Sequence, residues 1–98
     1  MSDITHLQAV QRKAVRTVAV SMLNRLAYRE AYRRGEVARE TAAAEDMLVM
    51  PADMTLIYDS LPDEADRAEF NAAWIDGATD AYLDHEPLTD QQIDIHYD

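Results

Sequence analysis

The chain has 98 residues, of which 9 are Lys or Arg, 19 are Asp or Glu and none is Cys. Without cysteine there is neither a disulfide framework nor a thiolate zinc site, and an apolar share of 48% is too high for a wholly disordered chain. We therefore expect a single folded domain, residues 1–98, in the cytoplasm, with no signal peptide and no membrane-spanning segment.

The first predicted element is a long helix. Ser2 or Thr5 is a suitable N-cap, and the two arginines before Gly35 are typical of a helix C-terminus, so we predict that this helix ends near Arg34. Apolar residues recur at steps of three or four and form a stripe, and flanking apolar residues widen it to more than one face, so we predict that this helix is central to the core. The stripe consists of Leu7, Val10, Ala14, Val18, Met22 and Leu26.

The middle of the chain allows two predictions. A short helix over residues 37–48 is followed by the sequence MLVMPADMTLIYDSL. Pro51 suits the first position of another helix, but Pro51-Ala52-Asp53 also suits the turn of a small β-hairpin over residues 47–58. We favour the helix.

A further helix is predicted over residues 61–83. Ser60, with Asp63 three residues later, is close to a capping box, and Pro87 ends the helical region because the residue before proline avoids α-helical geometry. Thr89 and Gln92 predict one more helical turn within an acidic tail, residues 85–98, which is a candidate for mobility. The predicted fold is a mainly α, compact bundle of three to four helices.

One short pattern occurs twice, 42 residues apart, and contains both glycines of the chain. Its rings, at i and i+4, share a helix face with small residues at i+3 and i+7, which predicts two helices packed closely with rings beside notches. A platform for stacking bases is the alternative, but the surrounding carboxylates would repel a phosphate backbone. The copies are Tyr28-x-x-Ala31-Tyr32-x-x-Gly35 and Phe70-x-x-Ala73-Trp74-x-x-Gly77.

The charge is divided along the chain. Residues 1–44 carry eight basic and four acidic side chains, a net +4, whereas residues 45–98 carry one and fifteen, a net −14. Asp76, Asp80 and Asp84, which we name the acidic row, recur at steps of four and so share a helix face with about 6 Å between neighbours. A row of carboxylates at this spacing is suited to replace phosphates in a basic groove. A solvated acidic face and internal pairing with arginines are the alternatives.

Other kinds of chemistry have little support. His6, His85 and His96 are widely separated and belong to no recognisable triad or zinc motif, so we expect neither an enzyme nor a cofactor. Carboxylates on one straight helix cannot surround a metal ion, and no calcium loop is present. Direct binding of nucleic acid is disfavoured because most of the chain would repel it. A basic first half and an acidic second half also resemble the layout of bacterial antitoxins.

The dense acidic half and the sequence FNAAWIDGATDAYLD resemble small phage-encoded inhibitors of bacterial defence, of the anti-CRISPR and anti-restriction type. The resemblance is one of type and rests on no diagnostic motif. It implies a non-catalytic protein in the host bacterial cytoplasm that occupies a nucleic-acid groove of a CRISPR effector or a nuclease.

We therefore predict an inhibitory binding protein that presents a DNA-mimicking acidic surface to a basic nucleic-acid-binding protein or complex of the host. The alternative is a homo-oligomeric helical adaptor, which includes a homodimer, or an antitoxin-like regulator. The predicted partner-binding residues are Asp63, Asp66, Glu69, Asp76, Asp80 and Asp84.

Overall fold

A computed structural model describes the backbone of residues 2–41 and 48–97 and the side chains of residues 18–41 and 48–97. The described residues form four helices and no strand, which confirms the mainly α prediction. The alternative hairpin over residues 47–58 is not found, because residues 48–58 form a turn followed by a helix, and residue 47 lies outside the described range. The helices are α1 (Ser2–Thr41), α2 (Ala52–Ser60), α3 (Glu64–Tyr82) and α4 (Asp90–His96).

Helix α1 is longer than predicted. It continues through Gly35 to Thr41, so the predicted end near Arg34 is wrong, and the part of the predicted 37–48 helix up to Thr41 belongs to α1. Residues 42–47 lie outside the described range. Gly35 does not adopt a positive φ. Its lack of a side chain serves close packing against α3 instead of a turn.

The buried face of α1 is not the predicted stripe. Val18, Met22 and Leu26 are exposed, so the prediction is wrong for these three residues. Leu7, Val10 and Ala14 lie outside the residues with described side chains. The core face is built mainly from small residues because α3 packs close to it, and large side chains would hold the two helices apart. This face carries Val20, Asn24, Ala27, Tyr28, Ala31 and Ala38.

The repeated pattern marks the crossing of α1 and α3, which confirms the packing prediction. A Cβ added to Gly35 would lie 2.5 Å from the carbonyl oxygen of Ala78 and 2.8 Å from Cβ of Ala81. A Cβ added to Gly77 would overlap the carbonyl oxygen of Tyr28. At each glycine the partner helix therefore lies closer than any side chain at that position would allow.

The contacts also fix the relative directions of the helices. Gly77 meets Tyr28, and further along both helices Asp84 meets Arg39, so α3 runs in the same general direction as α1. Helix α4 runs in the opposite direction, because Asp90 pairs with Arg29 and Asp94 pairs with Arg25. The core between these helices contains Ala27, Tyr28, Ala31, Met54, Leu61, Phe70, Ala73, Trp74, Ala78 and Ile93.

Helix α3 begins at Glu64, and Asp63 is its N-cap, with Oδ1 accepting a hydrogen bond from the backbone N–H of Ala65 at 2.9 Å. The predicted cap at Ser60 is wrong, because Ser60 is the last residue of α2. At the other end, the N–H of His85 donates to the carbonyl of Asp80 and the N–H of Asp84 donates to that of Ala81. This pattern is a Schellman motif, in which Asp84 takes the left-handed position with φ 60°.

Helix α4 confirms the predicted capping box. The hydroxyl of Thr89 accepts from the N–H of Gln92, and the Gln92 side chain accepts from the N–H of Thr89. Ile93 is fully buried against the other helices, so the acidic tail contributes to the core. Across the described residues, none of the helices combines the length and apolar character that crossing a bilayer requires.

Candidate binding surface

The acidic row lies on the second half of α3 and at its end, but its three side chains differ in exposure. The side chain of Asp84 is 80% exposed, that of Asp76 is 44% exposed and that of Asp80 is 26% exposed. Each carboxylate interacts with another part of the chain. The row is therefore partly a set of internal contacts and only partly an outward surface.

Asp80 holds together three segments. Its Oδ2 accepts a hydrogen bond from the hydroxyl of Tyr28 at 2.5 Å, and the same hydroxyl accepts from the N–H of Leu88 at 3.1 Å. Nδ1 of His85 lies 3.4 Å from Oδ1 of Asp80. Burial, followed by the hydrogen bond to Asp80, raises the pKa of Tyr28. The phenol is therefore a neutral donor that ties α1 to α3 and to the segment before α4.

Asp76 repeats this arrangement one turn earlier. Its Oδ2 accepts a hydrogen bond from the hydroxyl of Tyr97, and Nε2 of His96 lies 3.8 Å from the same oxygen. Burial, and then the bond to Asp76, raises the pKa of Tyr97. The carboxylate thus fastens the end of α4 to α3.

Asp84 is the most accessible member of the row. It forms an ion pair with Arg39 of α1, with 2.5 Å between Oδ1 and Nη1. An ion pair between exposed side chains contributes about 0–1 kcal/mol. A partner can therefore compete for this carboxylate at small cost.

Two further ion pairs join α1 to α4. Arg25 donates to both carboxylate oxygens of Asp94, with 2.8 Å between Nε and Oδ1, and Arg29 pairs with Asp90. The hydrogen bond from Arg25 lowers the pKa of Asp94. These two carboxylates were not among the predicted contacts. A signal for them was present, because two arginines and two aspartates each stand four residues apart and match across an antiparallel pair of helices.

The other predicted contacts lie in the first half of α3 and just before it. Asp63 is occupied as the N-cap, and Asp66 and Glu69 are half-buried. Asp63 and Asp84 are 21 residues apart, so a straight helix separates them by about 32 Å. The six predicted residues thus extend along one helix and do not converge on one point.

Three exposed carboxylates near the corner between α2 and α3 were not predicted. Asp53 and Asp59 on α2 and Glu64 at the start of α3 are exposed, and we name these three the α2 acidic group. The one basic residue of the second half, Arg67, uses its Nη1 to donate to the carbonyl of Leu61 at 2.6 Å. The acidic surface therefore includes the corner between α2 and α3. The carboxylates at this corner are not regularly spaced in the sequence.

Three of the four aromatic rings of the repeated pattern are unavailable for stacking on bases, and the fourth, Tyr32, is half-buried. Phe70, Trp74 and Tyr28 are each 0% exposed. Among the described side chains, no cluster of three or more His, Asp or Glu is arranged to hold a metal ion.

No family model matches this chain, and searches of curated proteins and of solved structures also give no match.

Proposed function

We propose that the protein is a non-catalytic inhibitory binding protein whose acidic surface docks on a basic nucleic-acid-binding partner. The carboxylate excess that remains after internal pairing supports this proposal. Residues 48–98 contain 13 Asp or Glu and one Arg. Ion pairs with arginines of α1 engage three of the 13, at Asp84, Asp90 and Asp94. The whole chain has 19 Asp or Glu against 9 Lys or Arg, so no pairing within the chain can remove its net charge of −10.

The proposed docking surface is the α2 acidic group, and Asp84, at the other end of α3, extends the acidic charge along the molecule. These carboxylates stand in for phosphates and attract Lys and Arg of the partner, so association is fast and weakens with salt. Asp76 and Asp80 contribute to the field while they hold tyrosines. A partner whose groove is occupied in this way no longer binds DNA, and CRISPR effectors and nucleases are partners of this kind.

The test is capture from a bacterial lysate on the immobilised protein, with elution by salt or by double-stranded DNA and identification by mass spectrometry. We expect nucleic-acid-binding proteins that both eluents release. The neutral triple variant Asp53→Asn, Asp59→Asn, Glu64→Gln should lose most of this capture. The charge-preserving triple Asp53→Glu, Asp59→Glu, Glu64→Asp is the matched control and should retain it. Capture that duplex DNA does not displace, or that the neutral triple retains in full, contradicts the proposal.

A homo-oligomeric helical protein is the second candidate. The observation that favours it is the row of exposed apolar side chains Val18, Met22 and Leu26 on α1.

A further inference from the structure

The segment after α3 folds back over part of the acidic row. The chain leaves α3 at Asp84, whose positive φ ends the helix, and α4 then runs antiparallel to α1. We name residues 85–97 the C-terminal strap. Asp76 and Asp80 both contact the strap and are less exposed than Asp84. The strap therefore covers two of the three carboxylates of the acidic row.

Both covered carboxylates interact with polar groups of the strap. Oδ2 of Asp76 accepts a hydrogen bond from the hydroxyl of Tyr97, and Oδ1 of Asp80 lies 3.4 Å from Nδ1 of His85. The bond from Tyr28 to the other oxygen of Asp80 comes from α1 and is not part of the strap. A Lys or Arg of a partner would bind the same carboxylate oxygens. The strap and a cationic ligand therefore compete for Asp76 and Asp80.

The strap is attached by few buried contacts. Among residues 85–97, all of which the structure describes, Ile93 alone is buried, whereas α3 has six buried residues. The seven residues of α4 are too few to form a stable helix alone. Its two ion pairs with arginines of α1 join partly exposed side chains, and such pairs contribute little. A segment of this kind opens at a lower free energy than the whole domain.

We propose that the C-terminal strap is an autoinhibitory contact. When closed it occupies Asp76 and Asp80, and when open it presents the complete acidic row, with about 6 Å between neighbours, to a cationic segment of a partner. The inference rests on the proposed function, in which carboxylates of this chain bind Lys and Arg. A ligand that binds only the open form has its apparent affinity reduced by the fraction of molecules that are open. By linkage, the same ligand must favour opening.

The probe for this test is dye-labelled deca-lysine, whose binding is measured by fluorescence anisotropy at one fixed, low ionic strength. The protein is the neutral triple variant of the α2 acidic group, because it lacks the proposed docking surface and leaves the acidic row as the main site for the probe. Substitutions that loosen the strap without changing its charge are added to this variant.

Tyr97→Phe should tighten binding of deca-lysine about fivefold and Ile93→Ala about tenfold or more, because each raises the open fraction. Tyr97→Phe removes a single oxygen and decides the question even if Ile93→Ala weakens the whole fold. Tyr82→Phe and Ile95→Ala are the matched controls at exposed positions and should not change binding. Equal binding by the strap variants and their controls overturns the proposal.

The gain must come from the uncovered carboxylates. When Asp76→Asn and Asp80→Asn are already present, adding Tyr97→Phe should give no gain, and this comparison is made at constant net charge. A gain of the same size in this background overturns the proposal, because the probe would then be bound elsewhere.

Hydrogen exchange tests the reverse effect, that of the ligand on the strap. Deca-lysine should speed exchange of the α4 amides in the neutral triple variant, while the amides of α3 near Gly77 should not exchange faster. Exchange in α4 that is unchanged at saturating deca-lysine contradicts the proposal. If deca-lysine behaves as expected but the wild-type chain captures no nucleic-acid-binding protein, the proposed function fails and the strap remains.

Discussion

The hydroxyl of Tyr28 donates a hydrogen bond to the carboxylate of Asp80 across the crossing of α1 and α3. Asp80 therefore has two roles, because a residue that the charge pattern predicts as a partner contact also holds two helices together. Reversing the charge of the whole acidic row would disturb this bond and any partner contact at once. Variants of the α2 acidic group separate the two effects.

The Tyr28 bond can be tested by Tyr28→Phe, which removes a buried hydroxyl and leaves Asp80 and the N–H of Leu88 without this partner. We expect the free energy of unfolding to fall by about 1–2 kcal/mol, since a buried polar group is left unpaired. Urea denaturation followed by circular dichroism measures this change. Tyr82→Phe, at an exposed tyrosine on α3, is the control and should change little; equal effects would show that the Tyr28 bond contributes nothing specific.

The helix crossing can be tested by Gly77→Ala. Alanine raises helix propensity by about 1 kcal/mol, but its Cβ would overlap the Tyr28 carbonyl and overpacking costs about 1–3 kcal/mol. We expect net destabilisation, because the obstacle is backbone and cannot rotate away. Asn71→Ala, at an exposed position of the same helix, raises propensity without this overlap and should stabilise. A Gly77→Ala variant that also gains stability would contradict the observed closeness of the helices.

The packing of α4 can be tested with two isoleucines of the same helix. Ile93 is fully buried and Ile95 is 72% exposed. Ile93→Ala should lower stability by about 2–5 kcal/mol, as truncation in a core does, and should speed hydrogen exchange in α4. Ile95→Ala should leave both quantities nearly unchanged. Similar behaviour of the two variants would mean that α4 does not pack as described.

The pairing of Arg25 with Asp94 predicts a dependence on pH. Because the pKa of Asp94 is lowered in the folded protein, ionised Asp94 stabilises the fold above the unfolded-state pKa of about 3.9, and this contribution is lost as pH falls through the lower folded value. The melting temperature of the wild type should therefore exceed that of Asp94→Asn at neutral pH, and the two should converge in acid. Arg25→Gln should follow the same profile. A difference that persists in strong acid would contradict the ion-pair explanation.

The variant Asp84→Gly tests whether the carboxylate of Asp84 stabilises the fold. The left-handed conformation, with φ 60°, costs a residue with a side chain about 1–2 kcal/mol and costs glycine almost nothing, while the exposed pair with Arg39 returns about 0–1 kcal/mol. We expect Asp84→Gly to have an equal or higher melting temperature. If this variant also loses partner capture, the carboxylate serves binding. A marked loss of stability would show that the ion pair is worth more than its exposure indicates.

Local signals in the sequence predicted much of the helical structure. The capping box at Thr89 and Gln92 is specific because both partners are close in sequence. The repeated pattern of rings and small residues identified the crossing of α1 and α3, since close approach requires small residues at fixed spacing. Helix α3 was placed within three residues at each end.

The wrong predictions concern features that depend on how the helices pack against one another. Gly35 is compatible with a helix end and with a close crossing, and only the position of α3 decides between them. The first helix has apolar residues on two faces, and periodicity does not state which face α3 covers. The internal contacts of the acidic row could not be predicted either, because its partners come from distant segments of the chain. These partners are Tyr28, Arg39 and Tyr97.

The close approach of α1 and α3 at the two glycines also limits how the core can respond when a buried side chain is replaced by a smaller one. At Gly35 and Gly77 the main chain of one helix already lies against backbone atoms of the other, so the helices have little room to move inward. We therefore expect a void made in the core, for instance by Phe70→Leu, to stay open. The stability of this small protein therefore depends on its few large aromatic side chains filling the core. A more loosely packed bundle could shift its helices to fill a void.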